Sequence, residues 1–334
     1  RSDARTALVF LFWDRVMLND NIPAGSQILP FYLADGSNDT ALIRGRMASV
    51  GTAAEGIIER HAYPDPVGHL QAEALALAAC LSSTLKFDGV FTLQAKGDGL
   101  VRTLFADITQ AGDLRGYCAF DDEQSQLTKI QLAQPNDQAV NIVPLMGGGY
   151  IAFTVDDRDT GGRYQGIVEL DGPHLSDAAM RWFENSEQTD TMVLCAADKG
   201  EAGWQASALM LQRIAADGGD AAPTGDAKAA SDDAWHTAKT LLLSVTRGEL
   251  LNPDLTPEQI IFRLFNSMAP HVAPARRVND KCRCDVTKIE TMLSQLSVDD
   301  VNDLADEDGA LHITCEFCKT ERVFNKNDLP DFKP

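Results

Sequence analysis

Cys282-Arg283-Cys284, then thirty intervening residues, then Cys315-Glu316-Phe317-Cys318: two close cysteine pairs stand within the last 53 residues of a 334-residue chain. Zinc takes four thiolates in a tetrahedron, and two short-range pairs supply them from two sides once the chain between them folds. The spacing therefore predicts one Zn2+ per chain held by Cys282, Cys284, Cys315 and Cys318, and with it a small C-terminal module. The segment between the pairs is equipped to fold. Ile289, Leu293 and Leu296 share one helical face that Thr287 and Glu290 are placed to cap, and Ser297 with Asp300 begins a second helix that ends before Gly309. Residues 311–314 and 322–324 read as short strands flanking the Cys-x-x-Cys turn. His312 could replace one thiol as ligand, but four thiols already complete the shell and it is read as a surface strand residue.

Upstream of the pairs, Thr256 is placed to cap a helix, with Pro257 in its first turn and Gln259 completing a capping box. Ile260, Ile261, Leu264, Phe265 and Met268 then form an apolar stripe that Pro270 stops. The stripe suits ordinary packing between domains and equally suits a cover over a binding surface. Residues 235–251 read as another helix, with Leu241, Leu242 and Val245 inward. Residues 215–234 hold almost no large apolar side chain and read as a linker. Short amphipathic helices on such a linker need a surface to dock on, so this region is built to order and melt.

Further toward the N-terminus the pattern alternates between helix and strand. Val67, Leu70, Ala74, Leu77, Leu81 and Leu85 recur at helical spacing across residues 66–85, and the stretch around Cys80 is apolar on nearly every side, as in a buried helix. Strands are expected at 90–95, 151–155, 166–170, 191–195 and 207–214. Lys96-Gly97-Asp98-Gly99 reads as a hairpin turn, and Gly147-Gly148-Gly149 as a turn before a strand, since it lacks the phosphate-loop pattern. Trp182-Phe183 reads as core. The fold class is α+β: an N-terminal extension with no assigned role at 1–27, a large N-terminal α+β core domain at 28–214, a flexible linker plus helical linker region at 215–278, and a small C-terminal zinc-binding redox-switch domain at 279–334.

Composition narrows function. The chain is 44% apolar, enough for a real core, and 29 Lys+Arg against 49 Asp+Glu leave a net charge of -20. Such a charge repels phosphate backbones and anionic lipid, so no nucleic acid and no membrane is expected as partner. Of seven cysteines, Cys80, Cys118 and Cys195 lie scattered and read as small buried hydrophobes. This is not a secreted disulfide framework, and a reducing, cytoplasmic setting is expected. The run from Ala7 to Trp13 behind Arg1 and Arg5 has the outline of a signal peptide, but Asp14 and Arg15 end it and it is too short to span a membrane. Neither a His-Glu-x-x-His nor a Gly-x-Ser-x-Gly motif nor a dinucleotide fingerprint is present, so catalysis is not expected. Zinc-held thiolates are the nucleophilic form that peroxide attacks. Their oxidation removes the ligands of a small module, so the site is expected to act as a redox switch. A thiol-disulfide oxidoreductase and a static zinc module are the alternatives.

Beyond the cysteines, the chain carries Tyr63-Pro64-Asp65-Pro66-Val67, Leu85-Lys86-Phe87-Asp88-Gly89, Gln94-Ala95-Lys96-Gly97-Asp98-Gly99, Gly149-Tyr150, Arg163-Tyr164-Gln165-Gly166-Ile167-Val168, Phe183-Glu184-Asn185-Ser186-Glu187-Gln188 and Val323-Phe324-Asn325. With these motifs in this order, the sequence resembles the bacterial heat-shock protein 33 family of redox-regulated holdase chaperones over about residues 28–330. The resemblance implies a protein that is inactive when reduced and zinc-bound. On oxidation it would form Cys282–Cys284 and Cys315–Cys318 disulfides, the Cys-x-x-Cys pair tending to respond first. It would then release zinc, unfold its linker, form a homodimer and hold unfolding client proteins without ATP.

Overall fold

The computed structural model describes residues 25–34, 41–85, 88–133, 139–214 and 225–328. Residues 1–24, Lys86 and Phe87 of one family-like motif, and the first half of the expected linker at 215–224 lie outside the described residues.

In chain order the elements are β1 (Gln27–Ala34), β2 (Ala41–Ser49), α1 (Gly51–His61), α2 (Asp65–Ser82), β3 (Gly89–Gly97), β4 (Val101–Thr109), β5 (Asp113–Phe120), α3 (Gln124–Ala133), α4 (Val143–Met146), β6 (Gly149–Asp157), β7 (Arg163–Glu169) and α5 (Leu175–Trp182). They continue with β8 (Thr191–Gly200), β9 (Gly203–Arg213), α6 (Gly225–Leu243), α7 (Arg247–Leu250), α8 (Pro257–Phe265), β10 (His271–Val272), β11 (Arg276–Arg277), β12 (Asn279–Asp280), α9 (Val286–Leu293), α10 (Val298–Leu304), β13 (Ala310–Thr314) and β14 (Glu321–Asn325).

Two sheets enclose α2. The first runs β10-β1-β2-β9-β8, with β11 also on β1; the second runs β12-β5-β4-β3-β6-β7. Every residue of α2 from Leu70 to Ser82 is buried, as its all-round apolar character predicts. The inner faces of both sheets meet this helix in one large core that includes Phe91, Phe153, Trp182 and Met210. Gly166 on β7 packs so closely on the Trp182 indole that any Cβ there would collide with it.

The first sheet is buried on its other face too. Leu29, Phe31, Leu33, Met47, Leu209 and Leu211 form a second core with Ala238, Leu242, Ile260, Ile261, Phe265 and Met268 from the helices that follow. The apolar stripe at 260–268 thus packs onto β1 and β2, with Phe265 stacked on Phe31 at 5.8 Å between centroids. Thr256 and Gln259 form the expected capping box on α8.

Two expectations about the linker region need correction. Residues 225–234 are helical, as the first part of α6, and do not continue the linker. Alanine has the highest helix propensity, and Ala234 and Ala238 are buried against the first sheet, so this stretch forms a helix without large apolar residues. The helix expected at 235–251 is divided: α6 ends at Leu243, and Thr246 with Glu249 starts α7 through its own capping box.

The third core is small. Leu293, Val301 and Leu311 are its buried members, with Ile289, Leu296, Ala305, Ile313 and Phe324 packed around them. Here β13 and β14 form an antiparallel hairpin, and α10 carries the expected Ser297–Asp300 box. The cap of α9 is Asp285, whose side chain accepts the Thr287 amide, and not Thr287 itself. Among the described residues no helix is long and apolar enough to cross a membrane.

Candidate metal centre

The first cysteine pair leaves the edge of the second sheet. Asn279 and Asp280 pair in parallel with Asp113 and Leu114 of β5, and the Lys281 amide donates to the Leu114 carbonyl at 3.1 Å. The chain then turns outward as Cys282-Arg283-Cys284. Asp280 is held by Arg60 at the end of α1, which ties this exit to the core. The second pair sits on the turn between β13 and β14. The Cys315 amide donates to Thr320 O at 3.1 Å and the Lys319 amide to Cys315 O at 2.8 Å, with Lys319 in the left-handed region at φ 52°.

These two turns bring the four sulfurs together. The Cys282 and Cys315 Sγ atoms lie 3.8 Å apart and those of Cys284 and Cys318 3.6 Å apart. All four lie within 4.8 Å of one another, and among the described residues no His, Asp or Glu joins the group. A zinc tetrahedron with bonds of about 2.3 Å has edges of about 3.8 Å, so this donor set fits the ion. The surrounding donors suit thiolates. Amides of Phe317 and Cys318 point at the Cys315 sulfur, and Arg322 Nη2 donates to Cys284 Sγ at 3.2 Å. Such outer contacts orient and stabilise metal-bound sulfur.

Electrostatics separate the four thiols. Partial burial pushes Cys282, Cys284 and Cys315 above the ordinary thiol range. Burial acts the same way on Cys318, but hydrogen bonds from the Thr320 hydroxyl and amide, and from Cys284 and Cys315, outweigh it and bring this thiol down to about 6. The three scattered cysteines are of another kind. Cys80, Cys118 and Cys195 are buried, and burial raises each thiol, that of Cys80 to about 12, which makes them poor nucleophiles. His312 is an exposed strand residue bonded to Glu321 at 2.9 Å and Asp306 at 3.3 Å, contacts that raise its pKa.

The centre is docked on the core by residues that spacing alone does not reveal. Asp107 of β4 is 3% exposed and is gripped twice: Arg115 of β5 makes two parallel hydrogen bonds to it, and Arg283, between the first two cysteines, reaches it at 2.6 Å. Arg115 also hydrogen-bonds Cys282. On the other turn Phe317 meets the rings of Phe105 and Tyr117 edge-on at 5.3 and 5.0 Å. The Arg115 guanidinium lies 3.8 Å from the Phe317 ring centre. His61 Nε2 lies 2.8 Å from the Glu316 carbonyl oxygen. The signal in the sequence was an arginine and a phenylalanine inside the two cysteine motifs, where a free-standing zinc turn needs neither.

The chain is similar to known proteins over most of its length. A family model described as Hsp33 protein matches residues 30–325. The 33 kDa chaperonin of Caulobacter vibrioides is 34% identical over 280 residues, covering 83% of this chain and 88% of that protein. The 33 kDa chaperonin of Pseudomonas syringae pv. tomato is 31% identical over 292 residues, covering 87% and 89%. Among solved structures, a 33 kDa chaperonin (heat shock protein 33 homolog) from Thermotoga maritima superposes with a TM-score of 0.71 over 91% of this chain and 97% of that one, at 17% identity.

Proposed function

The chain belongs to the Hsp33 family, and from that premise we propose that it is a redox-regulated, ATP-independent holdase, idle when reduced and zinc-bound and active when oxidised. A chaperone, not an enzyme, is what the name of its relatives supports. The observation that carries the redox reading is the clustering of four sulfurs within 4.8 Å, in a module whose own buried core consists of Leu293, Val301 and Leu311.

Bound to Cys282, Cys284, Cys315 and Cys318, zinc would tie the two turns together and keep all four sulfurs as thiolates. The step that undoes this belongs to the thiolates. One sulfur attacks a peroxide oxygen, the O–O bond breaks and hydroxide departs, leaving a sulfenic acid. The neighbouring thiolate attacks that sulfur, forms the S–S bond and expels a second hydroxide. Two electrons pass from the cysteine pair to the peroxide, and two protons complete two waters.

The disulfides are assigned as Cys282–Cys284 and Cys315–Cys318. In the folded centre the close approaches cross between the pairs, so this assignment draws on the family likeness and on loop length. Once the module loosens, partners two or three residues apart stay near each other and partners more than thirty apart do not. A structural zinc is worth on the order of 10–16 kcal/mol in small peptides, and so small a core cannot replace it. Loss of the module frees the segment leading back to α8. Release of the helices exposes Phe31, Leu33, Met47 and Leu209, the apolar face they now cover, to unfolding clients and to a second copy of the chain. A reducing compartment such as the cytoplasm is where the idle form would persist.

The test is to follow zinc release and suppression of client aggregation on one sample, before and after peroxide with mild heating. Both should rise together and both should reverse with reductant and zinc. Equal suppression in the two states would refute the switch.

A further inference from the structure

The turn that carries the second cysteine pair does more than supply ligands: it places Phe317 in a cleft made wholly by the core. Phe105 and Tyr117 face each other across β4 and β5, stacked at 5.7 Å between centroids and 19° between planes. Arg115 closes the cleft from above the Phe317 ring. Each is also held from within the core: Phe105 and Tyr117 stand opposite each other on paired strands, and the Arg115 fork is held by buried Asp107 at 3.0 Å through both Nε and Nη2. Beside the cleft, His61 stacks on Tyr63 at 4.9 Å between ring centroids, and its Nε2 lies 2.8 Å from the Glu316 carbonyl oxygen. A ring slot with a cation over it and a donor for the adjacent peptide group recognises an aromatic side chain together with its backbone.

We propose that the Phe105–Tyr117–Arg115 cleft is a binding site for an unfolded polypeptide segment carrying an aromatic side chain, and that Phe317 fills it as an internal stand-in while the cysteine module is docked. The chain's own turn, seated there through a ring and a carbonyl that any unfolded protein offers, is what identifies the occupant. The site is pre-organised, so little ordering cost opposes the exchange of one occupant for another. Release of the module would open it in the same event that uncovers the first sheet. The inference rests on the redox-holdase reading but names a different surface, on the opposite sheet from the linker helices.

The test uses the full chain and a short fluorescein-labelled peptide of Ser, Ala and Gly around a single Phe, with a twin in which that Phe is Ser. Fluorescence anisotropy should show the Phe peptide binding the peroxide-oxidised chain roughly tenfold or more tighter than the reduced, zinc-loaded chain, and the twin binding neither. Phe105→Ala in the oxidised chain should abolish the difference. Phe317→Ser, which leaves the cleft and all four ligands in place, should bind the Phe peptide while still reduced and still holding one zinc. Failure of the Phe peptide to bind the oxidised chain, whether the cleft has collapsed or a second copy covers it, overturns the inference. So does a Phe317→Ser chain that keeps its zinc and stays closed to the peptide. Aggregation suppression on the same oxidised wild-type sample keeps the two ideas apart: suppression without peptide binding sinks the cleft alone, and absence of suppression sinks the switch.

Discussion

Glu73 lies on α2, the helix between the two sheets, and its carboxyl group is wholly buried. One oxygen accepts the Val140 amide at 3.0 Å, and the other has no hydrogen-bond partner among the described residues. Burial pushes its pKa up to about 7, against the Val140 hydrogen bond and the positive charge of Arg247, which pull it down. The sign of the consequence follows from proton binding. Between the ordinary value of 4.5 and about 7 the folded chain holds a proton that the unfolded chain has lost, so stability falls as pH rises through this window. Glu73→Gln keeps the acceptor for Val140 and removes the titration. It should melt like the wild type near pH 4 and be more stable at pH 8 by on the order of 3 kcal/mol. Thermal melts of both proteins across that range check it, and parallel curves would show that Glu73 does not titrate there. Arg247 belongs to α7, so the same carboxyl group links the core's protonation to the helices that cover the first sheet.

Among the elements, α8 is the best signposted and the most consequential. Thr256 accepts the Gln259 amide at 3.3 Å and Gln259 Oε1 accepts the Thr256 amide at 3.0 Å, and the helix then buries Ile260, Ile261 and Phe265 on the first sheet. Thr256→Ala should cost about 1 kcal/mol. If α8 opens locally, its amides should exchange with solvent roughly fivefold faster, while those of α2 do not change. Unchanged exchange in α8 would mean that it opens only with the whole molecule. This helix was legible because cap, proline and stripe agree. So were α2 and the strands β3, β6, β7, β8 and β9, whose apolar runs are bounded by turn residues, and the four cysteines, whose spacing is a local property. What escaped was set by distant partners. β1 is buried along nearly its whole length, so it shows no alternation, and Pro30 breaks its apolar run; in β2 the buried positions alternate through the middle, but Arg44, Gly45 and Arg46 interrupt the apolar run. β4 and β5 place Asp107 and Arg115 on the face that the cysteine module covers, so polar residues stand where strand patterning expects a solvent face. α6 begins earlier than expected because its first turns rely on alanine and not on large apolar residues.

For the molecule as a whole, the arrangement is graded: a large core around α2, a second layer of helices on one sheet, and on the other a small module that carries the four clustered cysteines. The module touches the core through few residues. Arg283, Phe317 and the Glu316 carbonyl all leave if it unfolds, yet Asp107 keeps its two-bond fork to Arg115, so no buried carboxylate of that latch is stranded without a partner. The second sheet should therefore outlast the module. A strong chelator added to the reduced, zinc-loaded chain separates metal loss from disulfide formation, and hydrogen exchange read by region reports the result. Amides of α9, α10, β13 and β14 should lose protection by at least a hundredfold, since a bound zinc would supply many kcal/mol to a module this small. Those of β3, β4, β6 and α2 should keep theirs. The informative region is α8. If its protection falls with the module, metal loss is enough to release the linker helices and the disulfides serve to keep the metal from returning. If α8 stays protected until peroxide is added, the linker responds to the disulfides themselves, and the step proposed above, in which loss of the module alone frees the helices, is wrong.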